Sequence, residues 1–160
     1  QTEEALRALG EFLGLEATRP EKEHGTGPDV LWVSPGCPAL CMEVKSGKDK
    51  ENYYRKRDMG QLSNHIQWVR NNTEYSEIIP IFVGPLSKPS ESANPSPEFQ
   101  LIELDSFKKL GERLIATYND IANIALPPNL REKIDDSLKS RQLTWPNLFE
   151  TLNPFHLYDS

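Results

Sequence analysis

The sequence predicts an α/β domain: a four-stranded mixed sheet flanked by helices, with a helical C-terminal extension. Three observations carry this. Short β-branched or apolar runs end at turn signals at 29–33, 39–45, 77–83 and 99–104. Apolar residues recur at helical spacing at 2–15, 57–71 and 106–124. The resulting order, α-β-β-α-β-β-α-α, mixes the two element types along a single domain of 160 residues, with a core over 1–104 and the extension over 105–160.

In the first helix, Ala5, Leu6, Leu9, Phe12 and Leu13 form the apolar stripe, Thr2 offers a cap and Gly14 marks the exit. The polar stretch from Arg19 to Pro28, carrying His24, Gly25 and Gly27, reads as a loop. Asp29 to Val33 and Ala39 to Lys45 read as two strands joined at Ser34-Pro35-Gly36 into a hairpin. Strand alternation sets Leu40, Met42 and Val44 on one face and Cys41, Glu43 and Lys45 on the other.

The next helix, from Arg57 to Asn71, buries Met59, Leu62, Ile66 and Val69. Pro80 marks the third strand as an edge or an irregular strand. Four prolines between 84 and 98 indicate an exposed loop before the fourth strand, Phe99 to Leu104. Helices then run from Ser106 to Ile124 and from Pro128 to Arg141, and a short one begins near Thr144 with Pro146 in its first turn.

Composition bounds the function. The chain is 37% hydrophobic and 26% charged, as ordinary globular domains are, and no apolar run is long enough to span a bilayer. No leader precedes the first helix, so a cytoplasmic location is expected; a first residue of Gln suggests a fragment of something longer. Cys37 and Cys41 make no disulfide framework, and no His or Cys pair completes a zinc site around them. The formal net charge is −6, yet Lys45, Lys48, Lys50, Arg55, Lys56 and Arg57 crowd one stretch against only Asp49 and Glu51. A local basic run of this kind reads either as a solvated loop or as a patch for nucleic-acid phosphates with a salt-sensitive affinity. Tyr53 and Tyr54 within it either stack on bases or anchor the loop.

The chemistry concentrates at Gly27-Pro28-Asp29 and, fourteen residues beyond Asp29, at Glu43-Val44-Lys45. Carboxylates at the ends of adjacent antiparallel strands can converge on one hard divalent cation with a backbone carbonyl as a third oxygen; the alternative is that Glu43 and Lys45 form a surface ion pair on an exposed strand face. Lys45 shares a face with Glu43, where it can orient a water or stabilise charge on a phosphoryl group.

GPDVLW followed by CMEVKSGK resembles the PD-(D/E)xK superfamily, the restriction-endonuclease-like nucleases that include Holliday-junction resolvases. The resemblance covers roughly residues 1–83. It implies a restriction-endonuclease-like core and hydrolysis of DNA phosphodiester bonds with Mg²⁺ or Mn²⁺. It also implies a site of Asp29, Glu43 and Lys45, with metal on Asp29, Glu43 and the Val44 carbonyl. Many members add a Glu from the first helix, which falls on Glu3, with Glu4 as competitor. Some branches place a Gln one turn before a Tyr on the helix after E-x-K; here Gln61 precedes His65 instead. Lys48, Lys50, Arg55, Lys56 and Arg57 are then the expected DNA contacts.

A finer similarity, on RPEKEHGTGPDVLW and MGQLSNHIQW, is to nuclease-type domains at the C-termini of bacterial DEAD/DEAH-box helicases. It implies a linked or associated helicase or ATPase partner. A catalytically inactive DNA- or protein-binding module on the same fold is the alternative expectation.

Overall fold

The computed structural model describes residues 1–45, 54–123 and 128–159. It is an α/β fold whose open mixed sheet has six strands, not the four expected, with helices on both faces. The strands lie in chain order across the sheet: β1 (Glu16–Thr18), β2 (Val30–Val33), β3 (Ala39–Val44), β4 (Ile78–Val83), β5 (Gln100–Ile102) and β6 (Phe155–His156). β1, β2 and β3 pair antiparallel; β3, β4 and β5 pair parallel; β6 returns antiparallel to β5. The C-terminal extension, expected to be purely helical, therefore supplies the sixth strand.

The helices are α1 (Thr2–Phe12), α2 (Pro20–His24), α3 (Lys56–Asn72), α4 (Leu104–Ala122), α5 (Leu130–Ser140) and α6 (Asn147–Thr151), followed by a 3-10 turn at Leu157–Asp159. Gln1, not Thr2, occupies the N-cap of α1, and Pro146 is the N-cap of α6 rather than part of its first turn. The stretch expected as a loop before Asp29 contains α2, which Pro20 starts and Gly25, with φ of 73°, ends.

The sheet separates two cores. Leu40, Met42 and the half-buried Val44 face the side built by Leu6 of α1, Phe107 and Leu110 of α4, and Leu143, Leu148 and Leu152 of the C-terminal segment. Ala39, Cys41 and Phe82 face Met59, Leu62, Ile66 and Val69 of α3. The crossover from β3 through α3 to β4 thus sets α3 over the face that carries Glu43 and Lys45.

Pro80 sits inside the sheet rather than on an outer strand, opposite Cys41 of β3. The Ala39 N–H donates to the Glu77 carbonyl and the Lys45 N–H to the Val83 carbonyl. In a parallel ladder this phase directs the peptide groups of 79, 81 and 83 toward β3 and the nitrogen of 80 the other way. There β5 pairs only from Ile81 onward, so the missing N–H of Pro80 breaks no ladder bond. Among the described residues no helix is long and apolar enough to cross a membrane.

Candidate active site

The C-terminal ends of β3 and β4 and the start of β2 meet at one edge of the sheet, under the first turns of α3. Glu43 and Asp29 arrive there from adjacent strands. The β2–β3 register pairs Val30 with Met42, which continues to Asp29 beside Glu43. Gly27 makes the approach possible: its φ is 102°, and a Cβ there would fall 2.8 Å from the Trp68 indole and 2.9 Å from Pro20. The Asp29 carboxylate then accepts a hydrogen bond from the Val44 N–H at 2.7 Å. Val44, expected to offer its carbonyl, meets Asp29 through this N–H. Gly84 lies behind Lys45, where a Cβ would come within 2.7 Å of the Tyr54 hydroxyl and 3.2 Å of the Lys45 carbonyl.

Glu43 is 2% exposed, an unusual place for a carboxylate. Lys45 Nζ donates to Glu43 Oε1 at 2.8 Å and to Gln61 Oε1 at 2.8 Å. It also stands 3.4 Å from Asp58 Oδ1, and Asp58 is itself buried. Asp58 Oδ2 accepts the Arg55 N–H at 2.7 Å, which ties this acid to the start of α3. His65 places Nδ1 3.0 Å from Glu43 Oε2. That contact is ionic in distance but not aligned as a hydrogen bond: Glu43 Oε2 and His65 Nδ1 are both buried without a hydrogen-bond partner.

The two strand-end carboxyls titrate in opposite directions. Burial, a hydrogen bond with the Glu21 carboxyl and the charge of Glu43 push Asp29 up to about 8, against the Val44 N–H, which lowers it. Burial also works to raise Glu43, but His65 and Lys45 outweigh it and hold its carboxyl below the usual value. Asp29 therefore sits among carboxyls, whereas Glu43 meets the Lys45 ammonium and the His65 imidazole. Burial and the neighbouring carboxylates of Glu43 and Asp29 push the Cys41 thiol up, so it is an inert wall of the site.

Asp29, Glu43, Lys45 and Gln61 thus come together, as four of the five residues expected to act. The fifth does not: Glu3 lies in the first turn of α1, and its carboxylate pairs with Arg19 at 3.7 Å. Glu4 likewise faces Arg19, at 3.4 Å, and Arg7. Of the expected DNA contacts, Arg55, Lys56 and Arg57 are exposed at the start of α3, beside the Lys45 cluster. Lys48, Lys50 and Tyr53 lie outside the described residues. Tyr54 is fully buried and donates its hydroxyl to the Pro85 carbonyl at 3.1 Å, so it anchors the loop and does not stack on bases.

The sequence did not single out Asp58 or Glu21, and it marked His65 only as standing where some branches place a Tyr. Asp58, Gln61 and His65 are spaced by three and four residues, so one stripe of α3 faces Lys45 and Glu43. That spacing was the available signal. Glu21 is set by α2: its N–H donates to the Pro28 carbonyl at 3.2 Å, one residue before Asp29.

A divalent cation fits this arrangement in two respects. Glu43 Oε2 is a buried oxygen without a hydrogen bond, and burial beside the Glu21 and Glu43 carboxyls raises Asp29, a shift that a bound cation would offset. Among the described residues no group of three or more His, Cys, Asp or Glu side chains is placed to hold a metal. Comparison with known protein families, with curated proteins and with solved structures finds no match. The molecule is thus defined by its own geometry: an α/β domain with two carboxyls, a lysine, an amide and an imidazole at one end of its sheet.

Proposed function

We propose that this domain is a divalent-metal-dependent nuclease that hydrolyses DNA phosphodiester bonds, with its site at Asp29, Glu43, Lys45 and Gln61. The observation that carries the proposal is the pinned lysine. Lys45 Nζ lies within 3.4 Å of Glu43, Gln61 and Asp58, beside a second carboxyl on the neighbouring strand. A surface Glu-Lys pair requires neither burial nor three acceptors from two elements.

Asp29 and Glu43 are the residues that would hold Mg²⁺ or Mn²⁺, with water and substrate oxygens completing the shell. Bound there, such a cation supplies Lewis-acid polarisation of a phosphoryl oxygen and an acidified water. Lys45 contributes a positive charge fixed in direction, able to orient the attacking water and to offset charge building on the phosphoryl oxygens. Gln61 and Asp58 hold it there, so no reorganisation is needed as that charge develops.

Arg55, Lys56 and Arg57 support a nucleic-acid substrate. Three cations at the start of a helix have the wrong sign for its dipole, which favours anions there. A phosphate backbone relieves that conflict. A linked helicase or ATPase remains part of the proposal through sequence resemblance alone.

The second reading, a catalytically inactive binding module, draws on the lack of a third metal-ligating side chain among the described residues. Cleavage of supercoiled plasmid and of single-stranded DNA separates the two. With Mg²⁺ or Mn²⁺ the wild type should cut, and Glu43→Ala and Lys45→Ala should each lose about 100-fold or more. A folded wild type that binds DNA but cuts neither substrate with either metal would leave the binding module standing.

A further inference from the structure

Glu43 Oε2 and His65 Nδ1 are a pair of buried polar atoms that meet without satisfying each other. They are 3.0 Å apart, and neither has a hydrogen-bond partner. Leaving two such atoms unpaired in a site that is 3% exposed at Glu43 and 12% at His65 is costly unless something else binds them. The spacing itself suggests what. Two donor atoms each about 2.1 Å from one cation, at a right angle to each other, lie about 3.0 Å apart, the edge of an octahedron.

We infer that His65 Nδ1 and Glu43 Oε2 are adjacent ligands of one transition-metal ion, making this site a mixed imidazole-carboxylate one. The inference rests on the nuclease reading only in sharing Glu43 with it. A site made of oxygens alone would favour no first-row transition metal over Mg²⁺ beyond their general order, whereas an imidazole nitrogen selects Mn²⁺, Co²⁺ or Ni²⁺ against Mg²⁺. Beyond Asp29, already proposed as a ligand, water and substrate oxygens complete the donor set. Glu43 Oε1 stays with Lys45, so one carboxylate joins the ammonium on one oxygen and the metal on the other.

The arrangement also gives His65 a role for which packing alone would not select. It stands on α3 one turn after Gln61, so the same helix that pins Lys45 carries the second metal ligand. The bland alternative is a buried ion pair that only steadies the junction of β3 and α3. An ion pair and a ligand pair differ in what they do when metal is added.

The test is pulsed electron paramagnetic resonance of Mn²⁺ bound to the full chain, read for nitrogen coupling, with calorimetric titration of Mn²⁺ and Mg²⁺ alone. The expected result is ¹⁴N coupling in the wild type that is absent in His65→Gln, with Mn²⁺ affinity falling at least 10-fold in His65→Gln and Mg²⁺ affinity changing less. Labelling the wild type with ¹⁵N-histidine should replace the ¹⁴N pattern, which needs no variant to fold. Mn²⁺ binding without nitrogen coupling, or coupling that survives in folded His65→Gln, would overturn the inference; if Asp29→Asn and Glu43→Gln still abolish that binding, the nuclease site stands without His65. A wild type that binds no cation overturns both.

Discussion

Along β3, Leu40, Met42 and Val44 enter a core of leucines and aromatics, while Cys41, Glu43 and Lys45 enter the space under α3. Met42 is 0% exposed and Glu43 2%, so the two faces are equally dry. What separates them is the supply of partners. The first face meets Val30, Trp32, Ile81 and Leu110, with no charge to offer. The second meets Asp58, Gln61 and His65: Lys45 donates to one oxygen of Glu43, His65 faces the other, and Gln61 and Asp58 hold Lys45. Burial depth does not decide whether a charge is tolerated in this fold; the stripe of α3 opposite it does.

Moving charge to the wrong face should have the largest effect. Met42→Lys puts an unpaired ammonium among aliphatic side chains and should cost about 4 kcal/mol or more, enough to unfold the domain in a circular-dichroism melt. Next comes removal of one partner on the charged face. Lys45→Met leaves the Glu43 and Asp58 carboxylates without their shared cation, and should cost about 3 kcal/mol in urea unfolding. Lys45→Met with Glu43→Gln should recover part of that loss, since the uncompensated charge goes too.

Asp29 gives a smaller and pH-dependent effect. Its carboxyl is raised in the folded state to about 8, so the unfolded chain gives up that proton first. Between about pH 4 and pH 8 the folded state holds more protons than the unfolded one, and stability falls as pH rises. Asp29→Asn should therefore stabilise the metal-free protein at pH 8, by about 1 kcal/mol after discounting for solvent screening, and change little at pH 4. Glu43 has the opposite sign. Its carboxyl is lowered, so its contribution is present above the unfolded value and lost as pH falls through the folded one.

The smallest effect on stability belongs to the exposed cations. Changing Arg55, Lys56 and Arg57 to alanine should alter stability by about 0.5 kcal/mol or less in the same urea assay. It should also flatten the dependence of log affinity for duplex DNA on log salt, by up to about 2.7.

How much of this was legible in the sequence follows from element length and from who pairs with whom. Glu43 and Lys45 could be placed on one face because β3 runs six residues, long enough for alternation to show. β1 and β6 could not: three and two residues hold no period, and each is a strand only because a neighbour supplies the ladder. Pro80 suggested an edge or an irregular strand, whereas β4 runs in regular register inside the sheet and is open only on its β5 side at that residue. Lys45 and Gln61 are sixteen residues apart, and their meeting depends on the crossover that lays α3 over β3. Asp58 looked like an ordinary first-turn acid at a helix start, and nothing local marks such a residue as a lysine's partner. Glu3 fell to Arg19, a competitor that the chain introduces on α2's N-cap and that no helical pattern on α1 could announce.

On the proposed reading, Asp29 and Glu43 bind one divalent cation. Thermal unfolding at pH 8, with and without Mn²⁺ or Mg²⁺, tests it most directly in the wild type, Asp29→Asn and Glu43→Gln. At about 100 times its dissociation constant a metal adds about 2.7 kcal/mol to the wild type, a rise in Tm of about 5–10 °C. Both variants should lose most of that rise. A wild-type Tm indifferent to either metal, or a rise of equal size in both variants, would contradict the account.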